Sequence, residues 1–81
     1  MVSIEADIAG YIAENILFSR TGYPYPLGAS FLENGIIDSM NVLELVMFVE
    51  EKYNIKVSDN DIIPDNFDSV ERLANFVRSR R

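Results

Sequence analysis

The chain contains no cysteine and no histidine. Without cysteine, neither a disulfide nor a thiolate metal site can supplement the core. Without histidine, the commonest general base and a usual zinc ligand are missing. A Ser-His-Asp triad is therefore impossible within the chain, and a non-catalytic role is expected. No apolar run approaches the roughly 20 residues that span a bilayer, and no segment reads as a signal peptide. The expectation is a cytoplasmic protein that makes no membrane contact. Positive charge is also scarce, with seven bases against thirteen acids and a net charge of -6. Nucleic acid and anionic membranes are polyanions, so they are disfavoured partners, whereas proteins with basic patches are favoured.

What remains is apolar enough to fold. Of 81 residues, 48% are hydrophobic and 11% aromatic, which excludes a disordered tail and sets one domain with a modest core as the expectation. Residues 3 to 18 read as a helix. Ser3 is its cap, Glu5 and Asp7 lie near its positive end, and Ile4, Ile8, Tyr11, Ile12 and Ile16 share one face. Residues 19 to 38 form a long connection, broken by Gly22, Pro24, Pro26, Gly28 and Gly35. Tyr23, Tyr25, Leu27, Phe31 and Leu32 should pack this loop onto the domain, with a short helical turn near Phe31.

Residues 39 to 53 read as a second helix, with Val42, Leu45, Val46, Val49 and Tyr53 inward and Asn54 as its stop. A single turn capped by Ser58 or Asp59 is expected to run through Ile62 and end at Pro64. Residues 69 to 80 form the last helix, with a capping-box-like start in Asp68 and Glu71. Its apolar stripe is Val70, Leu73, Ala74 and Val77. The predicted fold is all-α: a small antiparallel four-helix bundle of three main helices plus one short helix, with a long loop between helices one and two. Its centre is expected to hold few large rings.

Chemistry concentrates at Gly35-Ile36-Ile37-Asp38-Ser39-Met40. A serine behind an aspartate at a helix start is ordinary capping chemistry, and Asp68-Ser69 reads as capping only. The helix that follows separates the two pairs. At about 100° per residue, Met40, Glu44, Met47 and Glu51 point away from the inward stripe. Exposed methionines among glutamates form an adaptable contact surface that steers basic partners.

From Phe31 to Val77 the sequence resembles the acyl carrier proteins. The likeness rests on Gly35-Ile36-Ile37, the Asp38-Ser39-Met40 signature, the run Val42-Leu43-Glu44-Leu45-Val46-Met47, Glu50-Glu51, and the Phe67-Asp68-Ser69-Val70 helix start. The family commonly has leucine after the serine, where Met40 stands here, a swap that conserves volume. The resemblance implies a single carrier domain over residues 1–81, with Ser39 esterified by 4'-phosphopantetheine taken from coenzyme A. It implies that Asp38 serves recognition by a phosphopantetheinyl transferase. Met40, Glu44, Met47, Glu50 and Glu51 would meet basic patches on the enzymes that load and use the cargo. A phosphodiester at a helix N-terminus meets free N–H groups and the positive end of the dipole. The implied role is delivery of acyl or aminoacyl groups, as thioesters, in fatty-acid, polyketide or related biosynthesis, by a monomer. Two alternatives stay open: an aminoacyl or peptidyl carrier loaded by a discrete adenylating enzyme, and an unmodified acidic interaction module in which Ser39 is only a cap.

Two other groupings carry less. Asp59, Asp61 and Asp65 hint at calcium, but Ile63, Pro64 and Val70 occupy positions where a calcium loop needs a ligand, a glycine and a carboxylate. No metal site is expected. Tyr23 and Tyr25, flanking Pro24, read as a packed loop.

Overall fold

The structure, a computed structural model, describes residues 3–38 and 40–80. Helix α1 spans Ile4–Asn15, with the Ala6 amide donating to Ser3 Oγ at 3.0 Å and Glu5 and Asp7 in its first turn. It is shorter than its apolar pattern predicts. The Leu17 amide reaches back to the Ile12 carbonyl at 2.9 Å in a wide turn, and Phe18 takes the left-handed conformation (φ 52) that ends helical propagation.

Helix α2 spans Asn41–Tyr53 and stops at Asn54, whose φ of 55 makes the left-handed cap expected of asparagine. A 3-10 turn follows at Asp59–Asp61, locked by Ser58, whose amide and hydroxyl both donate to Asp61 Oδ2 at 3.0 Å. Pro64 does not end this element, as the sequence reading has it. It begins a separate helix, α3 (Pro64–Phe67). A first helical position needs no N–H, and proline's fixed φ already suits it.

Helix α4 spans Val70–Arg80. Its cap is Ser69, whose Oγ accepts from the Arg72 amide at 3.0 Å, not the Asp68–Glu71 box. Asp68 faces the long loop instead. Its carboxylate accepts from Ser30 Oγ at 2.7 Å and from the Leu32 amide at 3.1 Å, and its carbonyl accepts from the Phe31 amide at 2.7 Å. The Glu71 amide donates to the Leu27 carbonyl at 3.0 Å. The loop is thus bolted to the α3–α4 junction.

Helix α1 runs antiparallel to both long partners. Tyr53 at the end of α2 donates to Asp7 at the start of α1, and Arg78 at the end of α4 pairs with Glu5. The result is an all-helical bundle with no strand among the described residues, and among them no helix is long and apolar enough to cross a membrane. Ile8, Ile12, Leu45, Val49, Val70, Leu73 and Val77 are fully buried at its centre.

The centre also holds more aromatic mass than the helical stripes predict. Phe31 from the loop is the largest fully buried side chain, and Phe67 and Phe76 are buried with their rings 5.5 Å apart. Val42, Val46 and Tyr53, read as inward, are only half-buried and pack against the margin of the core. The loop and the short helix α3 supply the bulk that these medium-sized residues do not.

Candidate functional site

The lead-in to α2 is fixed from below. Consecutive turns over residues 31–35 close with Ile36 N–H donating to the Phe31 carbonyl at 2.9 Å. This is the turn expected near Phe31, although it does not become a helix. Gly35 sits at φ 62, a conformation costly for any side-chain-bearing residue. Ile36 and Ile37 are then buried, which anchors the chain immediately before Asp38 emerges at the surface.

Asp38 performs the capping. Its Oδ1 accepts from the amides of Met40 at 2.9 Å and Asn41 at 2.8 Å, and its carbonyl accepts from Val42 N–H at 3.1 Å. Two of the N–H groups that a helix start leaves orphaned are thereby satisfied by a carboxylate, which also suits the positive end of the dipole. Ser39, the expected attachment point, lies outside the described residues. Its flanking residues Asp38 and Met40 are both exposed, Met40 by 78%.

The outer face of α2 carries Met40, Met47 (64% exposed), Glu44 and Glu51, as the helical period predicts. Leu43 belongs with them at 58% exposure. It is not among the contact residues that the family resemblance implies, but its spacing three residues after Met40 and four before Met47 puts it on the same stripe. Glu50 stands apart. It is half-buried, and its Oε2 accepts from the Val57 amide at 3.0 Å, so this carboxylate fastens the segment after α2 to the helix.

Beside the α2 start lies a cavity of about 180 Å³. Phe31, Ile37, Val42, Ile62, Ile63 and Phe67 supply most of its wall, and Asp38 and Asp68 are the carboxylates that reach it. The long loop, α2 and α3 each contribute a side, which explains why no single amphipathic pattern reveals it.

The remaining candidates are structural. Asp61 binds Ser58 and Arg80, and Asp65 pairs with Arg72, so these two acids serve capping and pairing. Among the described residues no group of three His, Cys, Asp or Glu side chains is placed to hold a metal. Tyr23 and Tyr25 meet edge-on at 5.7 Å and pack against the core. Burial, with a smaller contribution from Tyr25, pushes the Tyr23 phenol up to about 12.

No family model matches the chain. Curated proteins do. An acyl carrier protein of Buchnera aphidicola from Schizaphis graminum is 31% identical over 52 residues, covering 64% of this chain and 63% of that protein. The acyl carrier protein of Buchnera aphidicola from Acyrthosiphon pisum is 29% identical, again over 52 residues and 62% of its length. The acyl carrier protein of Chlamydia caviae is 26% identical over 80 residues, or 99% of both chains. The chain thus spans less than two thirds of the Buchnera proteins it matches and nearly all of the Chlamydia one. With the same helical architecture that the sequence likeness predicts, the chain is a relative of the acyl carrier proteins.

Proposed function

We propose that this chain is a single carrier domain whose Ser39 hydroxyl takes a 4'-phosphopantetheine arm from coenzyme A. In that transfer the Ser39 oxygen bonds to phosphorus and displaces adenosine 3',5'-bisphosphate, while the hydroxyl proton passes to a base on the transferase. When attached, the arm supplies the thiol that this chain lacks and on which an acyl group is held as a thioester.

The residues present suit such an arm. The turn around Asp38 and Met40 is exposed, as a modifying enzyme requires, and it opens a helix of 13 residues whose dipole favours a phosphodiester. The observation that carries the reading is the apolar cavity beside Asp38 and Val42. Its volume compares with the roughly 150 Å³ of an apolar cavity able to take up benzene. A short acyl chain or a single ring on the arm therefore has a place to shelter, whereas a long fatty chain exceeds it.

The chain's own contribution is delivery. Met40, Leu43 and Met47 offer deformable apolar contact, and Glu44 and Glu51 steer enzymes bearing basic patches, beginning with the transferase. Asp38 orients the start of α2 for that enzyme. The carrier works as a monomer in the cytoplasm, and tethering raises the local concentration of cargo at each partner's active site.

Intact-mass measurement after incubation with coenzyme A and a broad-specificity phosphopantetheinyl transferase tests the reading. A gain of one phosphopantetheine, absent from Ser39→Ala, is expected. An unchanged mass for the wild type overturns it in favour of an unmodified interaction module.

A further inference from the structure

One wall of the cavity, the segment from Ile62 to Phe67, is made of a single helical turn and the residues before it. Four residues of helix have little stability of their own, so something outside the wall must hold it. Arg80, in the last turn of α4, reaches it by two routes. Its Nη2 donates to Asp61 Oδ1 at 2.6 Å, and Asp61 immediately precedes Ile62. Its guanidinium also lies 4.9 Å from the centre of the Phe76 ring, which in turn packs against Phe67.

Asp61 is suited to pass a restraint on. It is buried, and its other carboxylate oxygen binds the Ser58 amide and hydroxyl. Its carbonyl accepts from Asn66 Nδ2 at 2.9 Å and from the Ile63 amide at 3.0 Å. A charge-assisted bond from the 44% exposed Arg80 side chain to a carboxylate only 12% exposed, and already held on its other oxygen, is better placed than an ordinary surface pair. The other α4 pairs differ in kind. Arg78 binds Glu5 on α1, away from the cavity, and Arg72 meets a largely exposed Asp65 at 3.4 Å.

We propose that Arg80 is a positioning residue for the cavity, latching the Ile62–Phe67 wall through Asp61 and Phe76 and so setting how closely the wall shuts on a tethered acyl group. The role in shelter rests on the carrier function proposed above, whereas the latch itself is a property of the unmodified chain. The wall's other tie to α4, the Arg72–Asp65 pair, is long and exposed, so loss of Arg80 opens the wall locally while the α1–α2–α4 core stays closed.

Amide hydrogen exchange on the unmodified full chain tests the latch, comparing wild type with Arg80→Ala, Arg80→Lys and Arg78→Ala. Arg80→Ala should speed exchange at Ile63, Asn66, Phe67 and Asp68 by about tenfold, the effect of losing one charge-assisted hydrogen bond. Arg80→Lys, which retains the ion pair, should restore most of the protection, and Arg78→Ala should leave the wall untouched. Unchanged wall rates in Arg80→Ala overturn the latch, and so does an equal rise at the wall in Arg78→Ala, which marks ordinary global destabilisation.

Hydroxylamine cleavage of the chain loaded with a hexanoyl arm then tests the consequence for cargo. Faster cleavage in Arg80→Ala than in wild type is expected, and equal rates overturn the role in shelter. Failure of the wild type to load overturns the carrier function instead, with the latch still decided by the exchange rates.

Discussion

At the scale of single residues, Asp68 and Ser69 divide work that a capping pattern lumps together. Ser69 is buried and caps α4, and Asp68 ties down the loop. At the other pair, the Asp38 carboxylate receives the amides of Met40 and Asn41 and so supplies a cap for the start of α2. Two contrasting outcomes follow. Ser39→Ala should abolish cofactor attachment with little effect on melting. Ser69→Ala should leave attachment intact while costing about 0.5–2 kcal/mol, the usual loss for a helix cap. Intact mass and thermal melts on both variants check this. Attachment that survives Ser39→Ala, or is lost in Ser69→Ala, contradicts the assignment. The sequence alone marks both pairs as helix starts, because capping preference is local. Which carboxylate turns toward a distant loop depends on contacts 36 and 38 residues away, and no spacing rule reports those.

At the scale of elements, the long helices were readable from period and caps, and the short ones less so. Apolar residues three and four apart define α1, α2 and α4 because each must bury one face. Asn54 as a stop is equally local. Pro64 is ambiguous in the sequence because proline both terminates and initiates helices, and its role depends on which side the chain continues. The exposed face of α2 is legible from the helical period except for Leu43, which hydrophobicity alone assigns to the interior. The family pattern puts Glu50 on that face, yet its bond to the Val57 amide gives it a structural task. Reversing charge at Glu44 and Glu51 together should therefore weaken transferase binding chiefly through slower association, with the fold unaffected. Reversal at Glu50 should also lower the melting temperature, since the Val57 amide loses its acceptor. Association rates measured across a salt series, paired with melts, separate the two effects. The wild-type rate should fall as salt rises, and a rate insensitive to both salt and the double reversal removes the acidic face from the mechanism.

The whole molecule is governed by a mismatch between its charge and its core. The net charge of -6 opposes compaction, so added salt should raise the melting temperature of the unmodified form. Glu5 and Asp61 are among the carboxylates that oppose that tendency by gaining partners on folding. Arg78 holds Glu5 below its ordinary value, and the Ser58 amide, with help from the Ser58 hydroxyl and Arg80, holds Asp61 below its own. A lowered carboxylate contributes stability that is fully present above its unfolded-state value and is lost as pH falls through the folded one. Melting temperature should therefore fall on acidification below the usual carboxylate range, and Arg78→Ala should flatten part of that decline. An acid limb identical in wild type and Arg78→Ala means the Glu5 pair contributes nothing to it.

The cavity adds a second control on stability that acts through cargo. The sequence suggests a loosely packed centre, but Phe31, Phe67 and Phe76 fill it, and the free space is gathered instead at the edge, between the loop, the α2 start and the segment from Ile62 to Phe67. A group that enters there binds the folded state alone and so stabilises it by linkage. At matched salt, a hexanoyl arm should melt above the bare arm, because its apolar chain fits a space of about 180 Å³. A charged aminoacyl group should give no such gain, since burying an unpaired charge among Ile62, Ile63 and Phe67 is costly. Equal melting of the bare and hexanoyl forms would mean that cargo stays outside the bundle. A gain for the aminoacyl form alone would turn attention to Asp38 and Asp68, the two carboxylates among the described residues that line the cavity and could meet an ammonium.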